Sequence, residues 1–157
     1  MRGPLIYIKD LIAELDDTYF MRKAYEQAQI AFELGEVPVG AVIVSKQQII
    51  ARSHNLTERL NDVTAHAEMQ AITSAANFLG GKYLKNCTLY VSLEPCQMCA
   101  GALYWSQISK VVFAAEDHKR GYRAFGASLH PKTQVVYGIL QEECSSLLKE
   151  FFKEKRK

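Results

Sequence analysis

Residues 87–115 read CTLYVSLEPCQMCAGALYWSQISKVVFAA, and this stretch decides the fold. CTLYVSL alternates and is rich in β-branched and aromatic residues, which predicts a strand. PCQMCAGALYWSQ predicts a helix, with Pro95 near its start, where a missing N–H costs nothing. KVVFAA predicts a second strand. A strand, a helix and a strand in immediate succession form a crossover unit, whose strands pair in parallel.

Outward from this unit, DDTYFMRKAYEQAQIAFELGE carries Phe20, Ala24, Ala28, Ala31 and Phe32 at helical spacing. Asp17 or Thr18 is the expected cap and Gly35 the expected stop. VPVGAVIV, the turn SKQQ and IIAR predict an antiparallel hairpin. A helix capped by Asp62 or Thr64 runs to about residue 78, with Ala67, Ala71, Ile72 and Ala75 inward, and the glycines at 80–81 end it. After KVVFAA, QVVYGI predicts the last strand. LQEECSSLLKEFFKEKRK is an amphipathic helix bearing Leu147, Leu148, Phe151 and Phe152. The order α-β-β-α-β-α-β-β-α predicts an α/β fold, a three-layer sandwich with a central mixed sheet flanked by helices. Residues 17–157 are expected to form a single domain, and residues 1–16, which fit the pattern poorly, an N-terminal extension.

The 157 residues suit one domain, and 48% apolar with 23% charged residues is ordinary for a soluble globular protein. A formal charge of +2 neither requires nor excludes nucleic acid. The four cysteines, at 87, 96, 99 and 144, are read as free thiols in a reducing compartment, hence a cytoplasmic protein. The first residues are too interrupted for a signal peptide or a membrane span.

The chemistry sits in TAHAEMQ (residues 64–70) and LEPCQMCAG (residues 93–101). Alone, C-x-x-C could be a redox pair, half a structural zinc site or core filler, and a histidine near a helix start is more often a cap. Together, His66, Cys96 and Cys99 offer the nitrogen and sulfur donors that zinc takes in a tetrahedron, and three protein ligands leave the open position of a catalytic site. Cys96 and Cys99, three apart, share one helix side. His66 and Glu68, two apart, differ by about 200° around a helix, so Glu68 suits a metal-bound water or hydroxide better than the metal itself. Cys87 and Cys144 fall in a strand and a helix, and His54, His118 and His130 in expected turns or loops. Water of lowered pKa beside a carboxylate is the equipment for hydrolytic removal of an amino group from an aromatic ring. H-x-E with P-C-x-x-C is the established signature of the zinc nucleobase deaminases, so this assignment rests on matching a signature and not on spacing alone.

HAE and PCQMCAG resemble the cytidine deaminase superfamily. EVPVGAVIV, HNLTERLNDVTAHAE, TLYVSLEPCQMCAGAL, VVFAAED and GILQEECSSLLKEFF resemble one branch of it, the bacterial tRNA adenosine deaminases, over roughly residues 17–153. That resemblance implies a cytidine deaminase-like fold with a five-stranded mixed sheet, and one zinc per subunit held by His66, Cys96 and Cys99. It implies Glu68 as proton shuttle, Asn55 on the target base and Asp117 near the neighbouring nucleotide. It also implies a homodimer acting on the wobble adenosine of a tRNA anticodon stem-loop, with neither DNA nor membrane as partner. Asn55 and Asp117 could equally be turn residues, and Pro38 and Val39 could line a pocket or simply be buried. The segment at 118–134 departs from the branch, as does Glu116. Lys119, Arg120, Arg123, Tyr122 and Phe125 could serve a single-stranded nucleic acid or form a solvated loop. The tail, with Lys149, Lys153, Lys155, Arg156 and Lys157, could track phosphates or be ordinary helix-end charge. GALYW resembles free-base purine deaminases. The competing functions are therefore deamination of guanine, cytosine or cytidine, and a non-catalytic zinc module that binds RNA.

Overall fold

The computed structural model describes residues 15–156. Its elements are α1 (Asp17–Glu33), β1 (Gly40–Ser45), β2 (Gln48–His54), α2 (Ala67–Leu79), β3 (Cys87–Leu93), α3 (Gln97–Ser106), β4 (Lys110–Ala115), β5 (Gln134–Tyr137) and α4 (Gln141–Lys155). The strands form one five-stranded mixed sheet in the order β2-β1-β3-β4-β5. β1 pairs antiparallel with β2 and with β3, whereas β3-β4 and β4-β5 are parallel. Four strands therefore run one way, and β1 runs against them from within the sheet. The chain consequently leaves β2, β3, β4 and β5 at the same edge, where ligands bind in open α/β sheets.

Strand alternation separates two cores. Ala41, Ile43, Leu89, Val91, Val111 and Phe113 face Ala67, Ala71 and Ala75 of α2 and Leu103 of α3. Val42, Val44, Tyr90, Val112 and Ala114 face Phe20, Met21 and Ala24 of α1 and Cys144 of α4. Helices thus cover both faces, the expected three layers. The alanines at four-residue spacing on α2 let that helix lie close to the sheet. Lys46 and Gln47 both take positive φ (51° and 64°), the two-residue turn whose twist matches a hairpin.

Several expectations shift. Asp16, rather than Asp17 or Thr18, caps α1 by accepting the Tyr19 N–H at 3.0 Å. Asp17 instead accepts hydrogen bonds from Tyr90 and Lys110, which spends its carboxylate on the sheet. Neither Asp62 nor Thr64 caps α2: Asp62 Oδ1 accepts the Thr64 N–H and hydroxyl in a local turn, and the cap position falls on His66. His54 ends β2 instead of lying in a loop. Phe32 is only half-buried and Phe152 is exposed, so α1 and α4 bury narrower stripes than their sequences suggest. Of the expected extension, residues 1–14 lie outside the described residues; Leu15 packs against the α1 core.

Gly40 opens β1 where that strand crosses α1. Its N–H donates to the buried Ser92 hydroxyl at 3.0 Å, and a Cβ there would strike Ala24 O, Ala28 N and the Gln27 side chain. Helix backbone cannot yield as a side chain can. Gly40→Ala is expected to lower the unfolding free energy by about 3 kcal/mol, the upper range for overpacking. Urea titration of the two proteins measures it.

Candidate active site

His66 and Cys96 each occupy the cap position of a helix, α2 and α3, and neither side chain makes the usual capping hydrogen bond, although Cys96 meets Cys99 within α3. A cap residue usually spends its side chain on the free N–H groups of the first turn. Here both side chains turn away and meet, because α2 follows β2 and α3 follows β3 at the same sheet edge. Cys99, one turn into α3, completes the group. Nδ1 of His66 lies 3.7 Å from Cys96 Sγ and 3.6 Å from Cys99 Sγ. The three donor atoms lie within 4.8 Å of one another.

These distances fit one ion. Ligands at tetrahedral angles, with sulfur about 2.3 Å and nitrogen about 2.0 Å from zinc, stand about 3.6 Å apart. The cluster is therefore positioned to bind a metal ion, and two thiolates with an imidazole suit zinc better than oxygen-seeking cations. Cys87 and Cys144 are buried on opposite faces of the sheet, in different cores. Among the described residues, no other group of His, Cys, Asp or Glu has this arrangement.

Local electrostatics favour the ligating forms. The Cys96 thiol is lowered to about 4, first by a hydrogen bond from Cys99, against the opposing effect of burial, and then by one from His66. Cys99 shifts upward, chiefly through the same bond, so the metal-free pair shares a proton. Glu68 lies in the first turn of α2 and is 4% exposed. Burial pushes its carboxyl up to about 7, with the His66 imidazole acting the other way. A carboxyl with that affinity can take up and return a proton near neutrality.

The remaining sequence candidates fall on the same edge. Asn55 follows β2, is 6% exposed, and donates its N–H to Val39 O at 3.0 Å. Its side-chain amide makes only a long contact, 3.5 Å, to Thr57 Oγ1. Val39 is partly buried in the α2 core beside it, and Pro38 is buried. Asp117 follows β4, and its Oδ1 accepts the N–H groups of Lys119 and Arg120, the behaviour of a turn residue. Of the possible nucleic-acid contacts, Lys119, Arg120 and Phe125 are exposed. Tyr122 is buried, and Arg123 is held by Glu94 and Glu116 at 2.9 Å each, so both serve the fold.

Three residues escape the motif reading. Buried Glu36 accepts the N–H groups of Glu58 (3.0 Å) and Arg59 (2.8 Å) and so pins the loop between Asn55 and His66. Buried Glu94 receives the N–H groups of Asp117 (3.1 Å) and Arg123 (3.3 Å) and both guanidinium contacts of Arg123. Burial alone would raise the Glu94 carboxyl, but these hydrogen bonds outweigh it and hold it below its usual range. Gln70 Nε2 donates to His54 O at 2.8 Å and to Ala65 O at 3.2 Å, tying the start of α2 to the end of β2. Gln70 carried a signal in its place one turn beyond His66, whereas the two glutamates are recognised only through partners more than twenty residues away.

This α/β fold, with a histidine and two cysteines gathered beside a buried carboxyl, defines a deaminase: the chain belongs to the MafB19-like deaminase family, whose profile matches residues 15–156. Within it, the chain is similar to a protein from Aquifex aeolicus (strain VF5) named tRNA-specific adenosine deaminase, at 49% identity over 144 residues, 88% of this chain and 95% of the relative. A solved structure from biochemical and structural studies of A-to-I editing by tRNA:A34 deaminases at the wobble position of transfer RNA is 41% identical, with TM-score 0.78, covering 83% of this chain and 99% of that one. A guanine deaminase from Bacillus subtilis is 44% identical, with TM-score 0.59, but over only 62% of each chain.

The lowered Cys96 value has a testable sign: a depressed pKa keeps the thiolate present at every pH above it. In metal-free protein near pH 6, iodoacetamide should label Cys96 while Cys87 and Cys144, raised by burial, stay unlabelled. Loading with zinc should block the labelling. Peptide mass mapping reads both results, and labelling of Cys96 that zinc does not block contradicts the assignment.

Proposed function

We propose that this protein is a zinc-dependent hydrolase that converts adenosine to inosine at the wobble position of a tRNA anticodon. One observation carries the chemistry: three metal-binding donors converge while Glu68, buried beside them, stays outside the donor set. Similarity over most of the chain to tRNA-specific adenosine deaminases supports the substrate. Zinc on His66 Nδ1, Cys96 Sγ and Cys99 Sγ would lower the pKa of water towards neutrality and so supply a nucleophile. Glu68 accepts a proton from the water that adds to C6 of adenine and passes it to N1. It then takes the proton of the hydroxyl added at C6 and gives it to the amino group, which leaves as ammonia as the C6 carbonyl forms, so that adenosine and water become inosine and ammonia. Asn55, with its side-chain amide barely engaged, hydrogen-bonds the base. Asp117 shapes the turn that meets the adjacent nucleotide, and Lys119, Arg120 and Phe125 offer charge and a stacking face to the loop backbone and bases.

The tail cations Lys153, Lys155 and Arg156 are exposed and available to phosphates. We assign a homodimer as the working form. Phe78 and Trp105, 66% and 76% exposed on the α2/α3 layer, are apolar surface that a second copy would cover. Four free cysteines suit a reducing, cytoplasmic setting. Among the described residues no helix is long and apolar enough to cross a membrane.

A second reading, deamination of a free purine base, draws on the partial match to a guanine deaminase. Zinc-loaded protein should be given an anticodon stem-loop with a wobble adenosine, guanine and cytidine side by side. Inosine in the stem-loop is the expected product; turnover of guanine or cytidine without inosine overturns the proposal. Steep weakening of stem-loop binding with rising salt is expected as well. Glu68→Ala should keep one zinc per chain and lose at least about 10²–10⁴-fold in rate, the range for general acid–base catalysis. Full activity in a zinc-loaded variant would remove Glu68 from the mechanism.

A further inference from the structure

We propose that Glu94 is a positioning residue for the reaction, a buried anchor that fastens the turn at 117–126 to the strand end leading into Cys96. This inference rests on the proposed deamination for its kinetic consequence but not for its structural content. Glu94 and Pro95 bridge β3 and the metal-binding Cys96. The Glu94 side chain is 2% exposed, yet its partners come almost wholly from the distant turn. Oε1 accepts the Asp117 N–H and one Arg123 Nη2 contact at 2.9 Å. Oε2 accepts the Arg123 N–H and, at 3.1 Å, Arg123 Nε. One carboxylate thus fixes residues 117 and 123, seven residues of that turn from end to end.

Three further observations make this an anchor and not an incidental ion pair. A Cβ on Gly121 would strike Glu94 Cδ and Oε2, so the turn is seated directly against the carboxylate. Tyr122 N–H donates to Pro95 O at 2.8 Å, which joins the turn to the residue before the metal ligand. Arg123 closes the outside, its guanidinium 4.8 Å from the Tyr137 ring centre and 5.2 Å from that of Phe113, with Glu116 on Nη2. A buried charge is retained only when its partners satisfy it fully, and here the satisfied partners are the turn that carries Asp117, Lys119, Arg120 and Phe125. Those residues are thereby tied to the segment that carries Cys96.

The test compares zinc-loaded wild type with Glu94→Gln and Arg123→Ala, well below their unfolding temperatures. An amide cannot accept at both atoms, so each variant loosens the turn from a different side. Both should keep one zinc per chain. Amide hydrogen exchange in residues 117–126 should accelerate at least about tenfold, the order expected when a charged hydrogen-bond partner is lost. KM for the stem-loop should rise by a similar factor while kcat changes less. Unchanged exchange in the turn overturns the anchor. Accelerated exchange with unchanged KM overturns the positioning role, and loss of zinc shows that Glu94 serves the ligands instead. If wild type makes no inosine, the proposed function fails, yet the exchange measurement still decides the anchor. Should Glu94→Gln not fold, Arg123→Ala carries the same readouts.

Discussion

Three donor atoms must stand about 3.6 Å apart to share one tetrahedral ion, and the fold is arranged around that requirement. β1 runs against its neighbours, so β2 and β3 end at one edge and each leads to a helix whose cap residue is a donor of the cluster. The two helix starts bring their unpaired N–H groups, and so a partial positive charge, to the same place. This favours thiolate at Cys96. His66 and Cys96 forgo the capping that Ser or Asp would supply, and Gln70 and Ser53 make up part of the loss by binding the α2 start to β2.

Around this centre, buried carboxylates take different parts according to their partners. Glu36 and Glu94 are surrounded by N–H donors and hold the loops on either side of the cluster. Glu68 has fewer such donors, its own N–H and the Cys99 thiol, and burial outweighs them and pushes its carboxyl up to about 7. The same side chain therefore anchors loops in two places and, in the third, has a carboxyl able to exchange a proton near neutrality. Hydrogen-bond donors around the carboxylate, rather than depth alone, decide which.

How much of this could be read from the chain varied with the range of the interaction. Strand alternation and the crossover at 87–115 are local patterns, and they led directly to the mixed sheet and its layers. The convergence of His66, Cys96 and Cys99 was legible because zinc accepts few residue types and the spacing carries a signature. Helix caps were misplaced by one to four residues because Asp17 and Asp62 had better partners, Lys110 and Tyr90 for one and Thr64 for the other. Glu36, Glu94 and the occupation of Arg123 were not legible: each depends on groups over twenty residues away, and a glutamate bonded to backbone N–H groups leaves no pattern in its partners' side chains.

The central claim is a division of labour, in which His66, Cys96 and Cys99 hold the ion and Glu68 does not. Zinc K-edge X-ray absorption on the loaded full-length protein, wild type beside Glu68→Gln, tests it directly. The account predicts two sulfurs, one imidazole nitrogen and one light ligand from outside the chain, unchanged by the substitution. A third sulfur, or a light ligand lost when Glu68 becomes glutamine, would contradict it.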